Sequence, residues 1–178
     1  MESYKMTIAG CERSLPLCKI SDKLTIAGFV MFGDVEITVK SSEELLKKVP
    51  EFDVILTAEA KGIPLGYEMA RQSGKPYVVA RKSVKAYMNN VVSVEVKSIT
   101  TANVQTLYLD GGKAELLKDK RVLIVDDVIS TGESVEALKD LCKAIDGNVV
   151  TCATVLAEGE AADRDDIIYL EKLPLFFT

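Results

Sequence analysis

The sequence predicts an α/β fold, a parallel sheet flanked by helices, and three observations point there. Short apolar runs recur at residues 53–58 (DVILTA), 77–80 (YVVA), 121–125 (RVLIV) and 148–156 (NVVTCATVL). Segments with helical spacing lie between them, the alternation that βαβ units require. The 178 residues, 48% hydrophobic and 28% charged, are ordinary globular composition with enough chain for a sizeable core.

Taken in order, the first forty residues read as antiparallel strands punctuated by Gly10, Pro16, Gly28 and Gly33. Ser41-Ser42-Glu43-Glu44 has the form of a capping box and predicts a short amphipathic helix through about Val49. The 53–58 run is a buried strand. Pro64 suits the first turn of a helix that runs to about Ser73, closed by Gly74. After the 77–80 strand, residues 83–110 are polar and β-branched without a helical period, which predicts a long hairpin or a mobile flap. The 121–125 run is the clearest buried strand. Behind it Val135, Leu138, Leu141, Cys142 and Ile145 fall at helical spacing, and Gly147 marks that helix's end. The 148–156 strand follows. With no repeats, low-complexity tracts or Pro/Ser-rich linker, residues 1–178 read as a single domain.

Composition excludes several kinds of chemistry. There is no histidine, so neither a Ser-His-Asp or Cys-His hydrolase nor a histidine-ligated zinc site is possible. A net charge of -5 argues against non-specific nucleic-acid binding. Cys11, Cys18, Cys142 and Cys152 form no C-x-x-C pair and read as small buried hydrophobes in a reducing cytosol. No apolar run reaches the roughly 18 residues of a membrane span. The first ten residues lack the basic start and apolar stretch of a signal peptide. The expected location is the cytoplasm.

The strongest chemical signal is residues 122–134, VLIVDDVISTGES. A buried strand ends in Asp126 and Asp127, and Ser130, Thr131, Gly132, Glu133 and Ser134 then open a helix. Ligands of open α/β sheets bind at the carboxyl ends of strands. Hydroxyls, a glycine and amides at a helix N-terminus are what a phosphate needs. The paired carboxylates would accept hydrogen bonds from vicinal sugar hydroxyls or hold Mg²⁺ through water. A ligand with a phosphate at one end and a diol at the other is a ribose 5-phosphate. A bare helix cap at Ser130 or Thr131 would need neither two acids nor a glycine. A phospho-acceptor receiver domain would carry its acidic pair near the N-terminus.

These thirteen positions resemble the fingerprint of the type I phosphoribosyltransferases: four apolar residues, two acidic, two apolar, then small-Thr-Gly-x-Ser/Thr. The resemblance extends over about residues 53–156, closest to the adenine phosphoribosyltransferase-like and archaeal purine-salvage members. It implies a Rossmann-like sheet over about residues 41–157, a flexible β-hairpin loop, and a small variable hood from about 1–40 and 158–178. It implies 5-phosphoribosyl-1-pyrophosphate as substrate, with Asp126 and Asp127 on the ribose and on Mg²⁺, and residues 130–134 on the 5-phosphate. Ala60-Lys61-Gly62 matches the family's pyrophosphate loop, and Arg81-Lys82, with Lys85 nearby, matches a second pyrophosphate contact. Lys61, Arg81, Lys82, Asp126 and Asp127 are thus the implied catalytic residues. Many relatives carry Gly or Lys at the position of Glu133, whose carboxylate must point away from the phosphate.

The implied reaction displaces pyrophosphate from the anomeric carbon by a ring nitrogen, forming a nucleoside monophosphate. Such a step needs positive charge on the leaving group and a fixed ribose rather than a nucleophilic side chain. Ser130 stands where one 6-oxopurine branch has an aspartate; the adenine branch and some archaeal 6-oxopurine relatives have a small residue there, so it weighs against that one branch only, and a purine is expected, adenine slightly ahead. The base would be gripped by residues 4–20 and 158–177. Phe29, Phe32, Phe176 and Phe177 are stacking candidates, though core packing is the simpler role for each. Glu95, Lys97, Ser98 and Thr100 fall in the hairpin region and take no assigned step. A homodimer is implied by resemblance alone. The alternative is a sensor that binds the sugar diphosphate without turnover; such proteins usually add a DNA-binding module, and none is legible in these residues.

Overall fold

The computed structural model describes residues 2–97 and 104–177. Three antiparallel strands come first: β1 (Ser3–Ile8), β2 (Cys11–Ser21) and β3 (Leu24–Ala27). Helix α1 (Val35–Lys48) leads to β4 (Val54–Ala58), α2 (Ile63–Ser73) and β5 (Tyr77–Ala80). An antiparallel pair, β6 (Val92–Lys97) and β7 (Val104–Leu109), is followed by one turn of helix, α3 (Gly111–Ala114). The remaining elements are β8 (Arg121–Ile129), α4 (Glu133–Ala144), β9 (Asn148–Glu158), β10 (Ile167–Leu173) and β11 (Leu175–Phe177).

Five strands form a parallel sheet in the order β10-β9-β8-β4-β5. Central parallel strands are covered on both faces, which is why residues 54–56 of β4 and 122–125 of β8 are uninterrupted apolar runs. Val54, Leu56 and Ile124 pack toward α4, while Ile55, Leu123 and Val125 pack with α1 and α2 residues such as Leu45 and Leu65. The predicted α/β class and its four strands are therefore observed. β8, however, continues through Asp126 and Asp127 to Ile129, so the acidic pair lies inside the strand rather than beyond it.

A second sheet, β1-β2-β3-β11, sets the end of the chain against its beginning, with Leu175 opposite Ile26. The two stretches expected to build a hood are thus divided. β10 and the start of α1 belong to the parallel layer, and only the first three strands and β11 make the separate sheet. Arg13 on β2 ties the layers together, its guanidinium bonded to both carboxylate oxygens of Asp34 at 2.7 and 2.9 Å.

The capping box expected at Ser41 is a correction. The helix begins at Val35, with Asp34 Oδ1 accepting from the Ile37 amide at 3.1 Å. Val35, Ile37, Thr38 and Val39 are β-branched, a composition that hides a helix start. Ser41 and Ser42 are buried mid-helix, and Ser42 Oγ donates to the Thr38 carbonyl one turn back at 2.7 Å. Cys11, Cys142 and Cys152 are buried as expected, but Cys18 is exposed on β2.

In the 83–110 region the hairpin reading holds for the described part, and Leu107 and Leu109 are buried in the core. Ser98 and Thr100 lie outside the described residues. Among the described residues no helix is long and apolar enough to cross a membrane.

Candidate active site

The site starts at the carboxyl end of β8. Alternation along the strand buries Asp127, 1% exposed, and leaves Asp126 half-buried beside it. The Asp127 amide donates to Asp126 Oδ1 at 2.9 Å. Burial, reinforced by the neighbouring Asp127 carboxylate, pushes the Asp126 carboxyl up to about 7. Asp127 Oδ2 is buried with no hydrogen-bond partner among the described residues. Its nearest cation is Lys61 Nζ at 3.8 Å.

Past Ile129 the chain turns through Ser130 and Thr131 to Gly132, at φ +82°, a left-handed conformation that favours glycine. Gly132 sits at the N-cap of α4 and has no side chain to cap it; Thr131 Oγ1 accepts from the Glu133 amide at a long 3.5 Å, and the other amides of the first turn are presented outward. Arg164 lies directly against Gly132, on the side where a Cβ would project. Its other nitrogens are taken up by Asp166 and Glu136, at 2.6 to 2.8 Å. Sequence reasoning did not find Arg164, because no local pattern links it to the loop.

The second strand end, after β4, carries residues 59–62, with a cis Glu59–Ala60 peptide. Gly62 is required for space: a Cβ there would run into Thr57 Oγ1 and come within 3.0 Å of Asp126 Oδ1. The role of Glu59 was also missed. Its carboxylate accepts from the Lys82 amide at 2.5 Å and from Arg81 Nε at 2.8 Å, joining the ends of β4 and β5. The Lys82 amide, with Arg81 close by, holds the Glu59 carboxyl below its usual range.

These strand ends enclose a cavity of about 440 Å³. Ala60, Lys61 and Lys82 line one side of it, and Asp126, Asp127, Ser130 and Ser134 the other. Arg81 and Lys85 do not line it. Arg81 is held by Glu59 and the Tyr87 hydroxyl, and Lys85 Nζ donates to Ser83 Oγ at 2.6 Å. The residues suit a hard cation: the donors are carboxylate oxygens, one of them buried and unpartnered. Among the described residues no group of three or more Asp, Glu, Cys or His converges to hold a metal. A Mg²⁺ ion at Asp126 and Asp127 would therefore complete its shell from water and a ligand.

Of the aromatic candidates, Phe29 is buried and Phe176 packs edge-on against Tyr4 at 5.5 Å between centroids. Phe32 is exposed, and Phe177 is exposed beside the strand ends.

The phosphoribosyl transferase domain family matches residues 36–173. The chain is 33% identical over 114 residues to the purine biosynthesis transcriptional repressor PurR of Bacillus subtilis, covering 64% of this chain and 39% of that one. It is 33% identical over 113 residues to the hypoxanthine/guanine phosphoribosyltransferase of Methanothrix soehngenii, covering 64% and 56%. It is 38% identical over 103 residues to the adenine phosphoribosyltransferase of Thermotoga petrophila, covering 58% of each. These matches span between 39% and 58% of the relatives' own length. Among solved structures, the adenine phosphoribosyltransferase of Thermoanaerobacter pseudethanolicus superposes with a TM-score of 0.68 at 23% identity, covering 96% of this chain and 95% of that one, a likeness of fold.

Proposed function

This chain belongs to the phosphoribosyltransferase family, and on that premise we propose that it transfers the 5-phosphoribosyl group of 5-phosphoribosyl-1-pyrophosphate to a purine base, adenine ahead of the others. The observation that carries the reading is the single cavity into which three strand ends bring an acidic pair, the hydroxyls of Ser130 and Ser134, and two lysines. Each part answers one part of the substrate. The amides at the start of α4, with Ser130, Thr131 and Ser134, take the 5-phosphate. Asp126 and Asp127 accept from the ribose hydroxyls, which fixes the sugar ring. Lys61 and Lys82 face the diphosphate, and Glu59 holds both the Lys82 amide and the Arg81 guanidinium.

In the reaction the bond from the anomeric carbon to the diphosphate oxygen breaks with its electron pair leaving on pyrophosphate. A ring nitrogen of the base bonds to that carbon and gives up its proton. Positive charge on the leaving group is what accelerates such a step, and the two lysines supply it in a partly enclosed cavity. Mg²⁺, when bound, would neutralise further diphosphate charge. The small Ser130 lacks the aspartate of one 6-oxopurine branch and weighs against that branch alone.

The likeness to PurR favours a second reading, in which the same cavity binds the sugar diphosphate as a signal without turnover. One experiment separates the two. The protein is incubated with Mg²⁺, 5-phosphoribosyl-1-pyrophosphate and a mixture of purines and pyrimidines, and products are read by mass spectrometry. The enzyme forms one nucleoside monophosphate, absent with Asp126→Asn/Asp127→Asn. Binding of the sugar diphosphate by calorimetry with no product would favour the sensor or a base outside the mixture.

A further inference from the structure

A second cavity, of about 740 Å³, opens beyond Ser130 and Thr131. Its walls come from both sheets: Leu24 and Ile26 of β3, Leu175 and Phe177 of β11, and Glu158 at the last position of β9. Phe177 stands 74% exposed at its rim, a large apolar side chain left facing water. Ser130 lines both this cavity and the smaller polar one. A nucleotide whose phosphate sits on the 130–134 loop and whose ribose sits on Asp126 would carry its ring past Ser130 into the apolar space.

The polar groups of this wall are unusually one-sided. Apart from two hydroxyls, the side chains that can hydrogen-bond are the carboxylates of Glu158, Glu160 and Asp163, and among the described residues no lysine or arginine lines the cavity. Asp163 faces Lys172 at 3.6 Å, and Glu160 is exposed. Glu158 is half-buried, its carboxylate with no hydrogen bond or ion pair among the described residues. Burial pushes its carboxyl above the usual range, with the Lys61 ammonium acting in the opposite direction. An ionised carboxylate only accepts, so a ring that places a carbonyl against it sets oxygen against oxygen, whereas an exocyclic amine donates to it.

Resting on the phosphoribosyl reading above, we propose that Glu158 is the specificity residue of the base site and accepts a hydrogen bond from the exocyclic amine of a 6-aminopurine.

The test uses product nucleotides, which bind without reacting. Adenosine 5′-monophosphate, purine riboside 5′-monophosphate (which lacks the amine), inosine 5′-monophosphate and ribose 5-phosphate are titrated by calorimetry into the protein and into Glu158→Ala. The expected result is that the adenine nucleotide binds the unaltered protein about tenfold more tightly than the other two nucleotides. Glu158→Ala removes that advantage and leaves ribose 5-phosphate affinity unchanged, which also shows the variant is folded. Equal binding of adenine and purine riboside nucleotides, tighter binding of the inosine nucleotide, or an equal loss for all nucleotides in Glu158→Ala would overturn the proposal while the family reading stood. Failure of ribose 5-phosphate to bind the unaltered protein would overturn both.

Discussion

The two cavities that share Ser130 are walled by different materials. The smaller one is made of backbone turns and charged side chains at the ends of β4, β5 and β8 of one sheet. The larger one sets aliphatic side chains and Phe177, from β2, β3 and β11 of one sheet, against Glu158 at the end of β9 in the other and the hydroxyls and carboxylates that follow β8 and β9. Charge recognition is directional and steep in distance, so Asp126, Lys61 and the 130–134 loop must be held by backbone geometry. Apolar contact is non-directional and follows area, so a ring site tolerates much variation in which residues line it.

Removing a charge from the polar cavity should have the largest effect. Lys61→Ala is expected to lower turnover about 100-fold, because a leaving-group contact is lost. Ribose 5-phosphate affinity should stay within about threefold, since phosphate and ribose contacts come from other residues. Steady-state kinetics and calorimetry check this pair; equal losses in both would mean that Lys61 shapes the loop rather than the leaving group.

Next comes the close approach at Gly62. Gly62→Ala drives a Cβ into the buried, unpartnered Thr57 Oγ1, and should cost about 1–3 kcal/mol of stability. Thermal unfolding reads the loss, and Thr57→Ala in the same chain should restore part of it. Independent, additive effects would show that the loop moves aside.

Glu59→Gln is expected to cost about 1 kcal/mol at neutral pH. Glu59 is 19% exposed on its side chain and its carboxyl is held below the ordinary value of 4.5. A depressed carboxyl contributes fully above the unfolded value and loses its contribution as pH falls through the folded one. The difference between Glu59→Gln and the unaltered protein should therefore be greatest at pH 5 and above and shrink below about pH 4. Chemical denaturation across that range is the measurement; a constant gap would mean the carboxylate's charge is not what braces Arg81 and Lys82.

The smallest effect belongs to the apolar side. Phe177→Ala should weaken a purine nucleotide about three- to tenfold through lost ring contact, with no change in ribose 5-phosphate binding or melting temperature. An equal effect on both ligands would remove Phe177 from the ring site.

Residues 122–134 show how far local pattern reaches. A buried strand, two acids, a glycine and hydroxyls are contiguous there, and contiguous residues share one backbone turn, so their grouping is legible in residue order alone. Lys61 and Lys82 are legible for a related reason, since both follow apolar strands of a parallel sheet and such strand ends face one crevice. Helix α1 is misplaced by local pattern because its cap, Asp34, is followed by β-branched residues and is held by Arg13 from another sheet. The brace from Glu59 to Arg81, the seat of Arg164 against Gly132, and the meeting of Glu158 with Leu24 and Phe177 have no signal in the chain. Sequence by itself determined the fold class and the polar loop, because periodicity and turn chemistry act over a few residues. Only the tertiary structure decided which cations reach the cavity and what surrounds the ring, because those contacts depend on strand register and sheet packing between residues far apart in the chain.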